Sequence, residues 1–251
     1  PIFAQGGAMT IDLCDHEALV KDAVMKFWST RDCAMRLQRK RGVADRGERA
    51  SVTSGKNMDG FVDIIQKVAE ANGLKSCTEV SGRVTSALPG YFRPTKKWDL
   101  LVYDEDALAG VFEFKSHVGP SFGNNFNNRV EEAVGNAVDF HTAVHEGVLG
   151  NSKVPFIGYL ILVEDCPEVH KNVRIGTPAF DVFEEFQDTS YSDRYEILCR
   201  KLVHERLYSS TCLLLSARNG AETGEYSCKS HIASAKTFLA QWAGHCAAWS
   251  V

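Results

Sequence analysis

Asp99, Glu113 and Lys115 are the residues of this sequence whose types and spacing best suit a chemical task. They belong to the stretch WDLLVYDEDALAGVFEFK (98–115), which reads as a β-hairpin. WDLLVY and GVFEFK are runs of strand formers, and EDA between them is a turn-like break. If the hairpin folds symmetrically about Asp106, Asp99 lies opposite Glu113, Leu101 opposite Val111 and Tyr103 opposite Ala109. A strand alternates its faces with period two, so Glu113 and Lys115 share one face with Asp99, while Leu100, Val102, Phe112 and Phe114 form the other. Cross-strand Cβ atoms lie about 4.5–5.5 Å apart, which lets two carboxylates converge on one hard cation such as Mg²⁺, with ligand distances of about 2.0–2.1 Å. An ion there neutralises a scissile phosphate and acidifies a bound water that Lys115 can orient, the layout of metal-dependent phosphodiester hydrolysis. On spacing alone, the same residues also suit a surface hairpin end with an ordinary Glu–Lys pair.

The elements around the hairpin are legible from hydrophobic period. Residues 11–40 read as a helix capped by Asp12 or Asp15, with Leu19, Ala23, Phe27 and Val20, Val24, Trp28 at core-packing spacing. Residues 57–72 read as a second helix with Met58, Phe61, Ile65, Val68 and Ala69 on one face. A strand is expected at 78–84, followed by a turn at 88–94. After the hairpin, SFGNNFNNR (121–129) packs four asparagines and two aromatics into nine residues and is expected to be a loop. A helix at 129–147 follows, with Glu131 and Glu132 at its N-terminus and Ala133, Gly135 and Ala137 packing closely on the sheet. VPFIGYLILVE (154–164) is a continuous apolar run, as in a strand buried on both faces. A helix at 191–208, a strand at 211–216 and a helix at 230–249 complete the reading. The expected fold is α/β (α+β), a central mixed β-sheet flanked by helices.

The block around the hairpin resembles the XhoI family of type II restriction endonucleases, within the PD-(D/E)XK nuclease superfamily. WDLLV (98–102), EFKS (113–116) and VGPSFGNNFNNRVEEAVGNA (118–137) carry the resemblance. Gly42, Asp45, Gly47, Arg49 and VTSGKNMDGF (52–61) add to it. It implies the αβββαβ nuclease core and Mg²⁺-dependent cleavage of double-stranded DNA within CTCGAG, after the first C, by a homodimer. Asp99, Glu113 and Lys115 match the catalytic positions, with Asp99 and Glu113 as metal ligands. The usual proline before the aspartate is absent: Trp98 stands there, with Pro94 further upstream. Superfamily members often add an acid from the preceding helix, for which Asp59 is the candidate; a role at that helix's N-terminus is the competing reading.

Charge and residue type suggest where DNA would lie. The net charge is −4, yet residues 31–56 hold eight basic and three acidic residues, a local +5 that leaves the rest near −9. A basic segment on an acidic body suits phosphate contact at one surface rather than a non-specific coat. Within the loop 42–56, Arg46, Arg49 and Lys56 are the expected DNA contacts. Asparagine pairs bidentately with adenine and arginine with guanine in the major groove, so Ser121, Asn124, Asn125, Asn127, Asn128 and Arg129 form the expected reading set; Asx-turn capping accounts for some of them equally well.

No apolar run reaches the roughly 18 residues of a membrane span, and no charged-then-apolar leader opens the chain. Eight cysteines without a CxxC pair read as reduced, mostly buried thiols of a cytoplasmic protein. His141, His145, His204, His231 and His245 read as packing or surface residues on helical stretches. A single domain over 9–251 is expected, with residues 1–8 set apart from it, and neither a small-molecule cofactor nor a membrane partner. Two alternatives stand beside the restriction enzyme: a structure-specific repair or junction nuclease, and a sequence-specific DNA-binding protein whose charged hairpin is structural.

Overall fold

A computed structural model describes residues 11–40, 56–74, 86–150, 153–176 and 179–250, with backbone alone for 34–40 and 56. The strand expected at 78–84 and the loop carrying Gly42, Asp45, Arg46, Gly47 and Arg49 lie outside these residues.

Among the described residues, four apolar strands form one mixed sheet in the order β3-β4-β5-β6: β3 (Leu100–Asp104), β4 (Ala107–His117), β5 (Phe156–Glu164) and β6 (Ser210–Ser216). β3 and β4 are antiparallel, whereas β4, β5 and β6 run parallel. Parallel neighbours need crossovers, which α3 (Phe122–His145) and α4 (Tyr191–His204) supply. Every residue of β5 and β6 is buried, the expected signature of strands covered on both faces. On one face, Leu101, Val111, Tyr159, Ile161, Val163 and Leu213 pack under α3 and α4. On the other, Leu100, Val102, Phe112, Leu160 and Leu214 meet α1 (His16–Lys40), α2 (Asp59–Ala71) and the last helix, Ala235–Trp249. A short α5 (Gly220–Thr223) precedes that last helix, α6. The mixed α/β class is therefore as expected.

Phe112 centres the second face. Its ring lies 4.9 Å from that of Trp242 and 5.7 Å from that of Phe156. Gly158 on β5 makes room for it: a Cβ there would sit 2.5 Å from Phe112 Cδ1. In α1, Val20, Ala23, Val24, Phe27 and Trp28 are buried as the period demands. Asp15, of the two expected caps, does the capping, accepting from Ala18 N at 3.3 Å through Oδ1.

The hairpin register departs from perfect symmetry in an instructive way. The turn is Glu105–Asp106, with Asp104 opposite Ala107 and Tyr103 opposite Leu108 rather than Ala109. A bulge between Val102 and Tyr103 then shifts the ladder by one residue, so Leu101 faces Val111 and Leu100 faces Phe112 as anticipated. The bulge thus cancels the off-centre turn before the chemically interesting end is reached.

Several expectations need correction. The turn at 88–94 is the tip of a separate two-stranded hairpin, β1 (Ala87–Pro89) with β2 (Thr95–Lys97). The asparagine-rich loop is no loop: α3 starts at Phe122 and includes Asn124, Asn125, Asn127, Asn128 and Arg129. Asparagine is only modestly unfavourable in a helix, and Phe122 and Phe126, four apart, anchor this turn in the core. Glu131 and Glu132 consequently sit well inside the helix. Ala133 and Ala137 are buried, but Gly135 is not in contact with the sheet. His231 lies in the turn before α6, not on a helix.

Candidate active site

Glu113 sits mid-strand in β4 and is only 2% exposed. A buried carboxylate requires partners, and among the described residues it has three. Lys115, two residues along the same face, pairs with Oε1. Lys96 on β2 donates to Oε2 at 2.8 Å. Asn136 on α3 reaches Oε1 at 3.4 Å through Nδ2. Asp99 precedes β3 by one residue, so it extends the ladder toward Glu113. Its amide donates to Phe112 O at 3.2 Å and its Oδ2 accepts from Phe114 N at 2.8 Å. The Asp99 side chain stays 44% exposed, with Lys115 Nζ 4.0 Å from Oδ2. Loss of hydration, and after it the charge of Glu113, push the Asp99 carboxyl above the usual carboxylate range, against the opposing pull of Lys115.

These residues line a cleft of about 860 Å³, together with Asp59 and Met58 from the start of α2 and its preceding turn, Arg93 and Lys97 from the small hairpin, and Arg129 and Glu132 from α3. The cleft therefore holds Asp99, Glu113, Lys115 and Asp59. Among the described residues no group of three or more His, Cys, Asp or Glu side chains is placed to hold a metal ion, so Asp59 lines the site without completing a cluster. Two carboxylates fit Mg²⁺ nonetheless, since that ion keeps several waters and takes one or two protein carboxylates plus substrate phosphate.

The asparagine set divides. Arg129 lines the cleft and pairs with Glu132. Asn125 turns its Nδ2 back to Ser121 O at 2.8 Å, a helix-start bond, and Ser121, Asn124 and Asn128 are exposed. Asn127, exposed as well, lines a separate apolar groove between α3 and α4, with Val130, Val134 and Leu198. Arg46 and Arg49 lie outside the described residues, as does the side chain of Lys56, which opens the 3-10 turn Lys56–Met58.

The site also contains residues that sequence reading passed over. Lys96 shares a strand face with Trp98, two residues on, and its ammonium lies 4.6 Å over that ring; period two could have found it. Asn136 is another, seven residues after Arg129 and four after Glu132 on α3, a spacing already contained in the helix expected at 129–147. His117, at the end of β4, lies buried outside the cleft lining. Its Nε2 donates to Ser121 O at 3.2 Å, so its Nδ1 accepts from Tyr195 Oη at 2.5 Å. Burial holds this imidazole down to about 4, neutral at ordinary pH.

Comparison with known proteins now bears on this geometry. The model of the restriction endonuclease XhoI family matches residues 37–228. The chain belongs to that family. It is similar to the type II restriction enzyme XhoI of Xanthomonas vasicola, 48% identical over 196 residues that cover 78% of each chain. It is also similar to the type II restriction enzyme BstVI of Geobacillus stearothermophilus, 49% identical over 187 residues, 72% of this chain and 83% of that one. The type II restriction enzyme AbrI of Azospirillum brasilense is 48% identical over 172 residues. No solved structure matches. Family membership makes this chain one of the restriction endonucleases, nuclease hydrolases that act on double-stranded DNA and generally use divalent metal ions. The central mixed sheet between helices agrees with their PD-(D/E)XK-like core. Among the described residues no helix is long and apolar enough to cross a membrane.

Proposed function

We propose that this chain hydrolyses duplex DNA within the palindrome CTCGAG, after the first C, leaving four-base 5′ ends. The observation that carries the reading is the convergence of Asp99, Glu113 and Lys115 in one cleft of a chain belonging to the XhoI family. The palindrome rests on the family resemblance alone.

In this reading Asp99 and Glu113 would hold Mg²⁺, with Asp59 a further acid at the cleft wall. The bound ion would neutralise the phosphate and make water a better nucleophile. Lys115 orients that water through its ammonium, while Lys96 fixes the other oxygen of Glu113. Water adds to phosphorus, the bond to the 3′ oxygen breaks, and a 5′-phosphomonoester and a 3′-hydroxyl are left. Arg46, Arg49, Lys56 and Arg129 supply positive charge to the backbone, and the exposed Asn124 and Asn128 of α3, with Asn125 and Ser121, are the residues offered to base edges. The protein acts as a cytoplasmic homodimer of single-domain protomers, each cutting one strand, so that two-fold protein symmetry mirrors the palindrome.

Digestion of a plasmid carrying one CTCGAG site, with Mg²⁺ and with EDTA, tests this. One linear product formed only with Mg²⁺ is expected. Cutting at other sequences would remove the recognition site and keep the chemistry. A plasmid bound but left intact would favour the non-catalytic DNA-binding alternative.

A further inference from the structure

The small β1–β2 hairpin carries a feature that the proposed reaction does not use. Its tip presents two aromatic rings to solvent: Tyr91 is 54% exposed and Phe92 70%, and their centroids lie 4.9 Å apart edge to face. The tip is tied down rather than loose. Asp139 on α3 accepts from the amides of both Tyr91 and Phe92 through Oδ1, each at 2.8 Å, and from Arg93 Nε through Oδ2 at 2.7 Å. Gly90 permits that approach, because a Cβ there would sit 2.7 Å from Asp139 Oδ2 and 2.8 Å from Arg93 O. Arg93 continues to Asn136 Oδ1 at 2.7 Å, and Asn136 in turn reaches Glu113. Side-chain bonds therefore connect the aromatic tip to the buried carboxylate of the cleft. The same hairpin lends Arg93, Lys96 and Lys97 to the cleft lining.

Paired rings carried into water on a tied-down turn, beside a row of cations, fit a partner that offers flat apolar faces and negative charge together. Nucleic acid does so, with stacked bases inside a phosphate backbone. We propose that Tyr91 and Phe92 form a wedge that enters the bound duplex at a base-pair step beside the scissile phosphate and unstacks it. The inference rests on the nuclease reading and adds to it a distortion of the substrate. Asp139 pre-sets the tip, so that little ordering remains to be done on binding.

The test uses the whole protein and a set of duplexes containing CTCGAG, each with a single 2-aminopurine in or beside the site, bound with Ca²⁺ in place of Mg²⁺. Fluorescence should rise several-fold at one position with the wild-type protein. Phe92→Ala should lose most of that rise while still binding, and should cut with Mg²⁺ about 10- to 100-fold more slowly, the range expected for one lost stacking contact. Phe92→Trp should restore both. Both positions are exposed, so the melting temperature should not move. A wild-type protein that cuts CTCGAG yet gives no rise, or a rise unchanged in Phe92→Ala, would overturn the wedge and leave the nuclease reading standing. So would a Phe92→Ala protein altered only in self-association. A wild-type protein that neither binds nor cuts would overturn both.

Discussion

Lys96 and Glu113, from two different sheets, meet at 2.8 Å and are both nearly closed to solvent, with side chains 13% and 2% exposed. The carboxylate that is proposed to bind a dication is thus held by two ammonium groups, Lys96 and Lys115. Breaking a buried pair costs about 3–5 kcal/mol when the remaining charge is left alone. Lys115 remains here, so Lys96→Met should cost less than that. Added Mg²⁺ should then recover more stability in the variant than in the wild type, because it replaces the missing cation. Thermal melts with and without Mg²⁺ check this, and equal Mg²⁺ effects in the two proteins would contradict it.

Asp99→Asn separates stability from activity. The Asp99 carboxyl is raised by lost hydration and by Glu113, so the folded state takes up its proton more readily than the unfolded one. Its contribution to stability is present at low pH and lost as pH rises through the folded value. At neutral pH without metal, Asp99→Asn should therefore melt higher than the wild type. It should also cut about 100-fold or more slowly, by analogy with loss of one electrostatic group from a site, while retaining binding to CTCGAG in gel shifts.

Glu113→Gln should abolish Mg²⁺-dependent cleavage in the same way and keep specific binding, read on the same two assays. A normal cutting rate in this variant would remove Glu113 from the reaction.

His117 predicts an acid limb in the stability curve. Burial depresses the imidazole to about 4, so the folded state resists a proton that the unfolded chain accepts near its ordinary value. Stability from this group is complete above about 6.5 and lost as pH falls toward about 4, a change on the order of 3 kcal/mol. Urea unfolding at several pH values should show this slope, and His117→Gln should flatten it.

Asn127 and Asn128 are neighbours in sequence with different expected phenotypes. Both are exposed, but only Asn127 lines the apolar groove between α3 and α4. If Asn128 reads a base, its alanine variant should lose about 1–3 kcal/mol of discrimination at one position of the site, while Asn127→Ala should leave specificity unchanged. Cleavage of a panel of singly altered sites distinguishes the two.

The hairpin was legible because its two runs carry alternation and a turn between them, and its far register survived a misplaced turn only because the bulge compensates. β5 was legible because a strand buried on both faces needs no alternation to be seen. The start of α3 was not, since local preference for asparagine turns competes with two phenylalanines whose burial only the tertiary structure reveals. Lys96 and Asn136 were missed for a similar reason. Period two sets Lys96 on the face of Trp98, but their partner, Glu113, is reached from a different sheet and a different helix, and no spacing within one element marks that meeting.

His117 clamps the end of β4 to Ser121 at the start of α3 and to Tyr195 of α4. The strand that carries Glu113 and Lys115 is thereby joined at its end to the start of the helix that bears Asn124 and Asn128. Placing reacting groups wrongly by about 1 Å can cost 10²-fold in rate. One neutral imidazole thus sets the spacing between the two elements on which the proposed cutting and reading residues lie, and a shift of either element against the other would be felt there first.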